Sequence, residues 1–308
     1  MEAPPTPEQL VAWLVKLLDV KDLGEDRFEG RRKRGGVGRV YGGQVIAQAL
    51  AAATRTVAPD RAVHSLHAYF LRGGSEDHST GYKVERDLDG GSFSNRRVVA
   101  SQLGRPILTL VASFHRREPG VSHQDAMPDV PPPDDLPSER ELRLRYLDRV
   151  PEGQRGFMLT PRPIEMRPVE PRHWMGGEPG PARSHSWFRA VAPLPADPAL
   201  HRTVLAYASD MSLLGTCTMP HGLSWMRGEV MGASLDHALW FHDPEVRADD
   251  WLLYATDSPW AGAARGFNRG RIFTRDGRLV AETAQEGMIR QIVLRARPKR
   301  KLGDISKM

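Results

Sequence analysis

Apolar segments follow one another in the same order in the two halves of this chain, and a repeated order of elements implies a repeated structural unit. In the first half Val45, Ile46, Ala49, Leu50 and Ala53 recur at helical spacing after Gly42 and Gly43. That spacing predicts an alanine-rich helix slim enough to be enclosed by other elements. Strand patterns follow at 64–71, 82–87, 94–101 and 107–115, with turns at Gly90-Gly91 and Gly104. In the second half a short helix is expected to begin near Asp210 and to bury Leu213, Leu214 and Cys217. Strands are expected next at 234–242, 251–255, 266–274 and 279–290, with a turn at Asp276-Gly277.

Two local echoes accompany this order: His67-Ala68 matches His237-Ala238, and Gly104-Arg105 matches Gly277-Arg278. Tight turns return a strand antiparallel to its predecessor. The expected class is therefore α+β, one helix wrapped by one antiparallel sheet, made twice. Two such units can join their sheets edge to edge and so hide edges that invite aggregation. Residues 127–137 are rich in Pro and Asp and 176–182 in Gly and Pro, which marks loops, with a short surface helix at 139–150 between them. The expected domains are 1–120, a linker at 121–182 carrying that helix, a second unit at 183–295, and a basic tail at 296–308.

With 308 residues, 40% hydrophobic and 26% charged, the chain can bury a substantial core. No run approaches the roughly 18 apolar residues of a membrane span, and the first residues lack the pattern of a secretory signal. Cys217 is the single cysteine, which excludes intrachain disulfides and points to a reducing compartment. The net charge of +5 favours an anionic partner. The dense basic patches, Arg31 to Arg34 and Arg295 to Lys301, are not interleaved with aromatics, so no nucleic-acid partner is expected.

Segments in both halves resemble the type II acyl-CoA thioesterases, the family of bacterial thioesterase B and peroxisomal eukaryotic members. The residues that carry the resemblance are Arg39-Val40-Tyr41-Gly42-Gly43-Gln44-Val45, Val63-His64-Ser65-Leu66-His67 through Phe70, Ala206-Tyr207-Ala208-Ser209-Asp210, Ser234-Leu235-Asp236-His237 through His242, and Ala284-Gln285-Glu286-Gly287. They occur in family order between Val11 and Arg290. The resemblance implies a double hotdog fold, hydrolysis of fatty acyl-CoA of medium to long chain, and a catalytic set falling on Asp210, Ser234 and Gln285. Many bacterial members have Thr where this chain has Ser234; both hydroxyls offer one donor and two acceptor lone pairs.

That chemistry suits those residue types. A thioester is an activated acyl group whose thiol leaves without a strong general acid, so the enzyme needs chiefly a placed nucleophile. An ionised Asp210 can orient or deprotonate water, while Ser234 and Gln285 fix the remaining hydrogen bonds of that water. Gly43 or Gln44, at the start of the first helix, is expected to supply an N–H to the oxyanion. Arg265 and Arg269 are expected near the coenzyme A phosphates.

Other constellations are weaker. Ser234, Asp236 and His237 cannot form a Ser/His/Asp triad on one strand, because neighbours point to opposite faces, and the chain has no Gly-x-Ser-x-Gly elbow. Cys217 beside Leu213 and Leu214 reads as a small core residue. His64 and His67 face opposite ways on a strand with no Glu at ligand spacing, so neither metal nor cofactor is expected. The alternatives kept are a non-catalytic acyl-CoA-binding module and a hotdog dehydratase. A homo-oligomer in the cytoplasm is expected, with a peroxisomal address of the Ser306-Lys307-Met308 kind as the alternative.

Overall fold

A reciprocal cap starts the first helix: Thr6 Oγ accepts from the Gln9 N–H and Gln9 Oε1 accepts from the Thr6 N–H, with Pro7 at the first helical position. The computed structural model describes residues 4–33, 38–150, 152–170, 178–225 and 227–292. The patch at Arg295 to Lys301 and the terminal Ser306-Lys307-Met308 lie outside the described residues, as does Arg34. The helices are α1 (Pro7–Leu18), α2 (Gly42–Thr54), α3 (Glu139–Arg145), α4 (Glu152–Leu159) and α5 (Pro198–Ser209). The strands are β1 (Val20–Asp22), β2 (Arg27–Gly30), β3 (Arg61–Phe70), β4 (Thr80–Asp89), β5 (Phe93–Gln102), β6 (Arg105–Arg116), β7 (Ile164–Pro168), β8 (Arg183–Ala190), β9 (Val230–Ser234), β10 (Asp236–Phe241), β11 (Leu252–Gly262), β12 (Arg265–Thr274) and β13 (Leu279–Gln291).

All the strands share one antiparallel sheet in the order β1-β2-β4-β5-β6-β3-β10-β13-β12-β11-β8-β7, with β9 pairing β13. The order reads the same from either end about the β3/β10 seam. The two halves thus join edge to edge at the strands that would otherwise be open, and the class is α+β with a double hotdog arrangement. Helices α2 and α5 pack together, α2 also against β3, β4, β5 and β6 and α5 against β10. Alanines at 47, 49, 52 and 53 of α2 are fully buried, which lets the sheet close around the backbone.

The second half differs from expectation in its helix. The short helix expected near Asp210 is 3₁₀ and begins at Leu213; the central helix of this half is α5, which ends at Asp210, its C-cap. The start signal lies upstream, where Asp197 Oδ1 accepts from the Ala199 N–H at 2.9 Å and Pro198 occupies the first position. Ser212 then turns left-handed (φ 67°) and a 3₁₀ stretch, Leu213–His221, buries Leu213 and Cys217. The strand expected at 234–242 is divided at Leu235 into β9 and β10, which pair with successive stretches of one edge of β13.

Both glycine turns before the last strand of each half are present, Gly104 at φ 73° and Gly277 at φ 88°. The histidine echo, in contrast, joins opposite faces: His67 is exposed and His237 fully buried. In the seam His237 pairs with Ala68 and Ala238 with His67.

The segment expected as a linker supplies more than a connection. β7 forms an edge of the sheet against β8, and Met127, Val130 and Leu136 pack on Trp187, Trp251, Leu253 and Phe273 as a second, smaller core.

Candidate active site

The C-terminus of α5 meets the N-terminus of α2, and the two ends are complementary. A carboxylate at a helix C-terminus faces the negative end of that helix, but Asp210 also faces the positive end of α2. Its Oδ2 accepts from the Gly43 N–H at 2.9 Å. Approach this close needs the glycine pair: a Cβ on Gly42 would lie 2.8 Å from Asp210 Oδ2 and 2.9 Å from Phe70 Cζ. A Cβ on Gly43 would collide with the carbonyl oxygen of Tyr207. Tyr41 anchors the junction, donating its hydroxyl to that carbonyl at 2.9 Å.

β13 brings the second residue. Gln285 is fully buried, and its Nε2 donates to Asp210 Oδ1 at 2.7 Å. Ser234, at the end of β9 and paired with Gly287 of β13, lies close enough to the same carboxylate to favour its ionised form. Asp210, Ser234 and Gln285, distant in sequence, are therefore assembled around one group. Burial pushes the Asp210 carboxyl up to about 6, against the pull of the Gln285, Gly43 and Ser234 donors that favour its ionised form. A carboxylate so placed is ionised at neutral pH yet basic enough to take a proton in a reaction.

The main-chain donors expected for an oxyanion already have acceptors: Gly43 N–H holds Asp210, and Gln44 N–H bonds Tyr41 O at 3.1 Å. Gln44 turns its side-chain amide to Arg31 O at 3.3 Å. Arg265 and Arg269 are not brought to the cluster. Along β12 Gly266, Asn268 and Gly270 face inward with Gln285, so the alternating Arg265 and Arg269 stand on the outer face. There Arg265 pairs with Glu286 at 3.4 Å and Arg269 with Asp257 at 2.6 Å. His64 bonds Ser113 Oγ at 2.8 Å, and among the described residues no group of three or more His, Cys, Asp or Glu is arranged to hold a metal ion.

One participant was missed in the sequence. His237 on β10 is fully buried, with Nδ1 3.1 Å from Gln285 Nε2 and Nε2 2.9 Å from Ser209 Oγ. The alternation that removes it from a Ser/His/Asp triad is the signal that turns it inward beside Gln285.

Comparison with known proteins bears on the activity of the chain as a whole. Residues 156–288 match the family described as acyl-CoA thioesterase, and residues 31–115 match the acyl-CoA thioesterase N-terminal domain. Human acyl-coenzyme A thioesterase 8 is 41% identical over 283 residues, spanning 89% of this chain and 88% of the relative. The chain belongs to the acyl-CoA thioesterase II family. Acyl-CoA thioesterase 2 of Haemophilus influenzae is 36% identical over 277 residues, covering 90% of this chain and 96% of that protein. The crystal structure of an acyl-CoA thioesterase II from Mycobacterium marinum superposes with a TM-score of 0.73 at 43% identity, covering 90% and 98% of the two chains. The thioesterase is thus a hydrolase of acyl-CoA, cleaving the thioester to a carboxylic acid and coenzyme A. A dehydratase domain shares the fold at 14% identity with a TM-score of 0.53, so the fold alone does not select the chemistry.

Proposed function

We propose that Asp210 is the general base of this hydrolysis and that Ser234 and Gln285 orient the attacking water with it. The observation that carries this reading is the convergence of the Gln285 amide and the Gly43 N–H, with Ser234 close by, on the Asp210 carboxylate, tuned to about 6. Water placed against that carboxylate loses a proton to Asp210 as its oxygen bonds to the thioester carbonyl carbon. The tetrahedral adduct then collapses, the C–S bond breaks, and the coenzyme A thiolate leaves, taking the proton from Asp210 so that the free thiol and the carboxylate are both restored. No covalent acyl-enzyme is needed. Gly43 serves in this scheme by holding the base, a role that replaces the oxyanion donor expected at Gly43 or Gln44.

The substrate class is fatty acyl-CoA of medium to long chain. Phe70, which lies beside Gly42 with the Asp210 carboxylate, puts apolar surface next to the site, as an alkyl chain requires. Cytoplasmic placement and self-association are part of the same proposal; the free, buried Cys217 fits a reducing compartment, and no helix among the described residues is long and apolar enough to cross a membrane. The test is release of free thiol from a series of acyl-CoA chain lengths by the parent and by Asp210→Asn. Release by the parent with a maximum at medium to long chains, slowed in Asp210→Asn, is expected. Equal rates for the two proteins would overturn the assignment.

A further inference from the structure

A glutamine beside a nucleophile can present either end of its amide, and the two ends have opposite effects. Here the neighbours decide. Ser209 has one hydroxyl proton, which it donates to Ala206 O at 3.0 Å, so its oxygen accepts from the ring of His237 at 2.9 Å. Nε2 of His237 therefore carries the proton, and Nδ1 is left as a lone pair. Burial pushes His237 down to about 4, which keeps the ring neutral in this form. Gln285 Nε2 has two protons and two acceptors within reach, Asp210 Oδ1 at 2.7 Å and His237 Nδ1 at 3.1 Å. Its Oε1 is buried without a hydrogen-bond partner.

We infer that His237 is a positioning residue for the hydrolysis: together with Asp210 it locks the Gln285 amide so that Oε1 faces the nucleophile as an acceptor. The inference rests on the reading of Asp210 and Gln285 given above. Water held between two acceptors, Asp210 and Gln285 Oε1, gives each a proton and directs a lone pair at the thioester carbon. A turned amide would instead donate an N–H to the water and compete for the lone pair that attack requires. Ser209, by selecting the ring tautomer, extends the lock back to the last turn of α5.

The test compares kcat, KM and the acidic limb of the pH profile in His237→Leu, His237→Asn and the parent. His237→Leu fills the space but offers no acceptor. It is expected to lower kcat about 10- to 100-fold, the scale of a misplaced reacting group, with KM little changed. It should also move the acidic limb to higher pH, because a loosened Gln285 donates less firmly to Asp210. His237→Asn restores an acceptor near the Nδ1 position and is expected to recover most of the rate. A packing role predicts the reverse order, since Asn leaves a cavity and Leu does not. Parental kinetics in His237→Leu, or an Asn variant as impaired as the Leu variant, would overturn the inference. If His237→Leu does not fold, the ¹⁵N resonances of the parent ring decide: a neutral ring protonated at Nε2 at about pH 7 supports the lock, and protonation at Nδ1 removes it. Asp210→Asn is assayed alongside, because a parental rate there would sink the underlying mechanism independently of what His237 does.

Discussion

Replacing Asp210 by Asn should change the pH dependence of stability as well as slow hydrolysis, and the first effect can be sized. The carboxyl moves from its ordinary 3.8 to about 6 on folding. At 1.36 kcal/mol per pKa unit the full linkage is about 3 kcal/mol. Because the folded state holds the proton more tightly, the contribution of this group to stability is fully present below 3.8 and is lost as pH rises through about 6. Roughly 1 kcal/mol is already gone at about pH 4.5, which leaves about 2 kcal/mol to be lost between there and about pH 8.

Asn cannot titrate, so its stability lacks this slope. It does leave one of the Gly43 and Gln285 donors facing an NH₂ group, a penalty of about 1–3 kcal/mol that is the same at every pH. The absolute stabilities of the two proteins therefore say little, whereas the change in their difference isolates the carboxylate. Urea unfolding followed by tryptophan fluorescence at about pH 4.5 and about pH 8 should show Asp210→Asn gaining about 2 kcal/mol on the parent across the interval. A gap that does not change with pH refutes the raised proton affinity and with it the account of how the base is tuned. In the same samples hydrolysis by the parent should rise with pH to a plateau, with its midpoint near the folded value of about 6. Asp210→Asn should be slower by about 10²–10⁴-fold, the usual contribution of a general base.

Ser234→Ala should lower kcat by about tenfold, as expected for loss of one orienting hydrogen bond, and Ser234→Thr should restore it. Quenched-flow mass spectrometry should meanwhile find no acyl adduct on the parent. Gly43→Ala should cost about 1–3 kcal/mol in unfolding free energy, because its methyl meets the Tyr207 carbonyl, and activity should fall with it. Arg265→Ala and Arg269→Ala should leave KM for acyl-CoA unchanged, since both side chains stand on the face opposite Gln285; a several-fold rise in KM would place coenzyme A on that outer face.

What the sequence revealed follows from how each element is buried. Helix α2 is legible because its apolar positions are alanine, valine and leucine at helical spacing, and the hairpin at Gly277 because its turn demands a left-handed residue. Helix α5 hides its pattern: His201, Arg202 and Thr203 are all buried, so no polar stripe separates from the apolar one. Thr203 turns its hydroxyl back to Ala199 O in its own helix, while the other two make tertiary contacts that local sequence does not show. His201 accepts from the Ala248 N–H at 3.1 Å, and Arg202 bonds Pro244 O. The β11–β12 hairpin is hidden for another reason. Its turn residues are Ala263 and Ala264, at φ 48° and 58°, and alanine is a poor marker of a left-handed turn. At the site, family resemblance placed Asp210, Ser234 and Gln285, while strand alternation alone gave the inward direction of His237 but not its partner. Whether Gly43 donates to an oxyanion or to Asp210 depends on where α5 ends, which α5's concealed pattern kept out of reach.

The symmetry of the sheet about β3 and β10 carries a consequence for stoichiometry. A two-fold arrangement of equal halves would offer two active sites, one at the start of each central helix. At the start of α5, Pro198 has no N–H to give, and the Ala199 N–H is already occupied by the cap of its own helix, Asp197. The opposite end of α2 is closed by Arg55, which brings no carboxylate. Each chain should therefore turn over at a single centre, with the other half of the sheet serving as its wall.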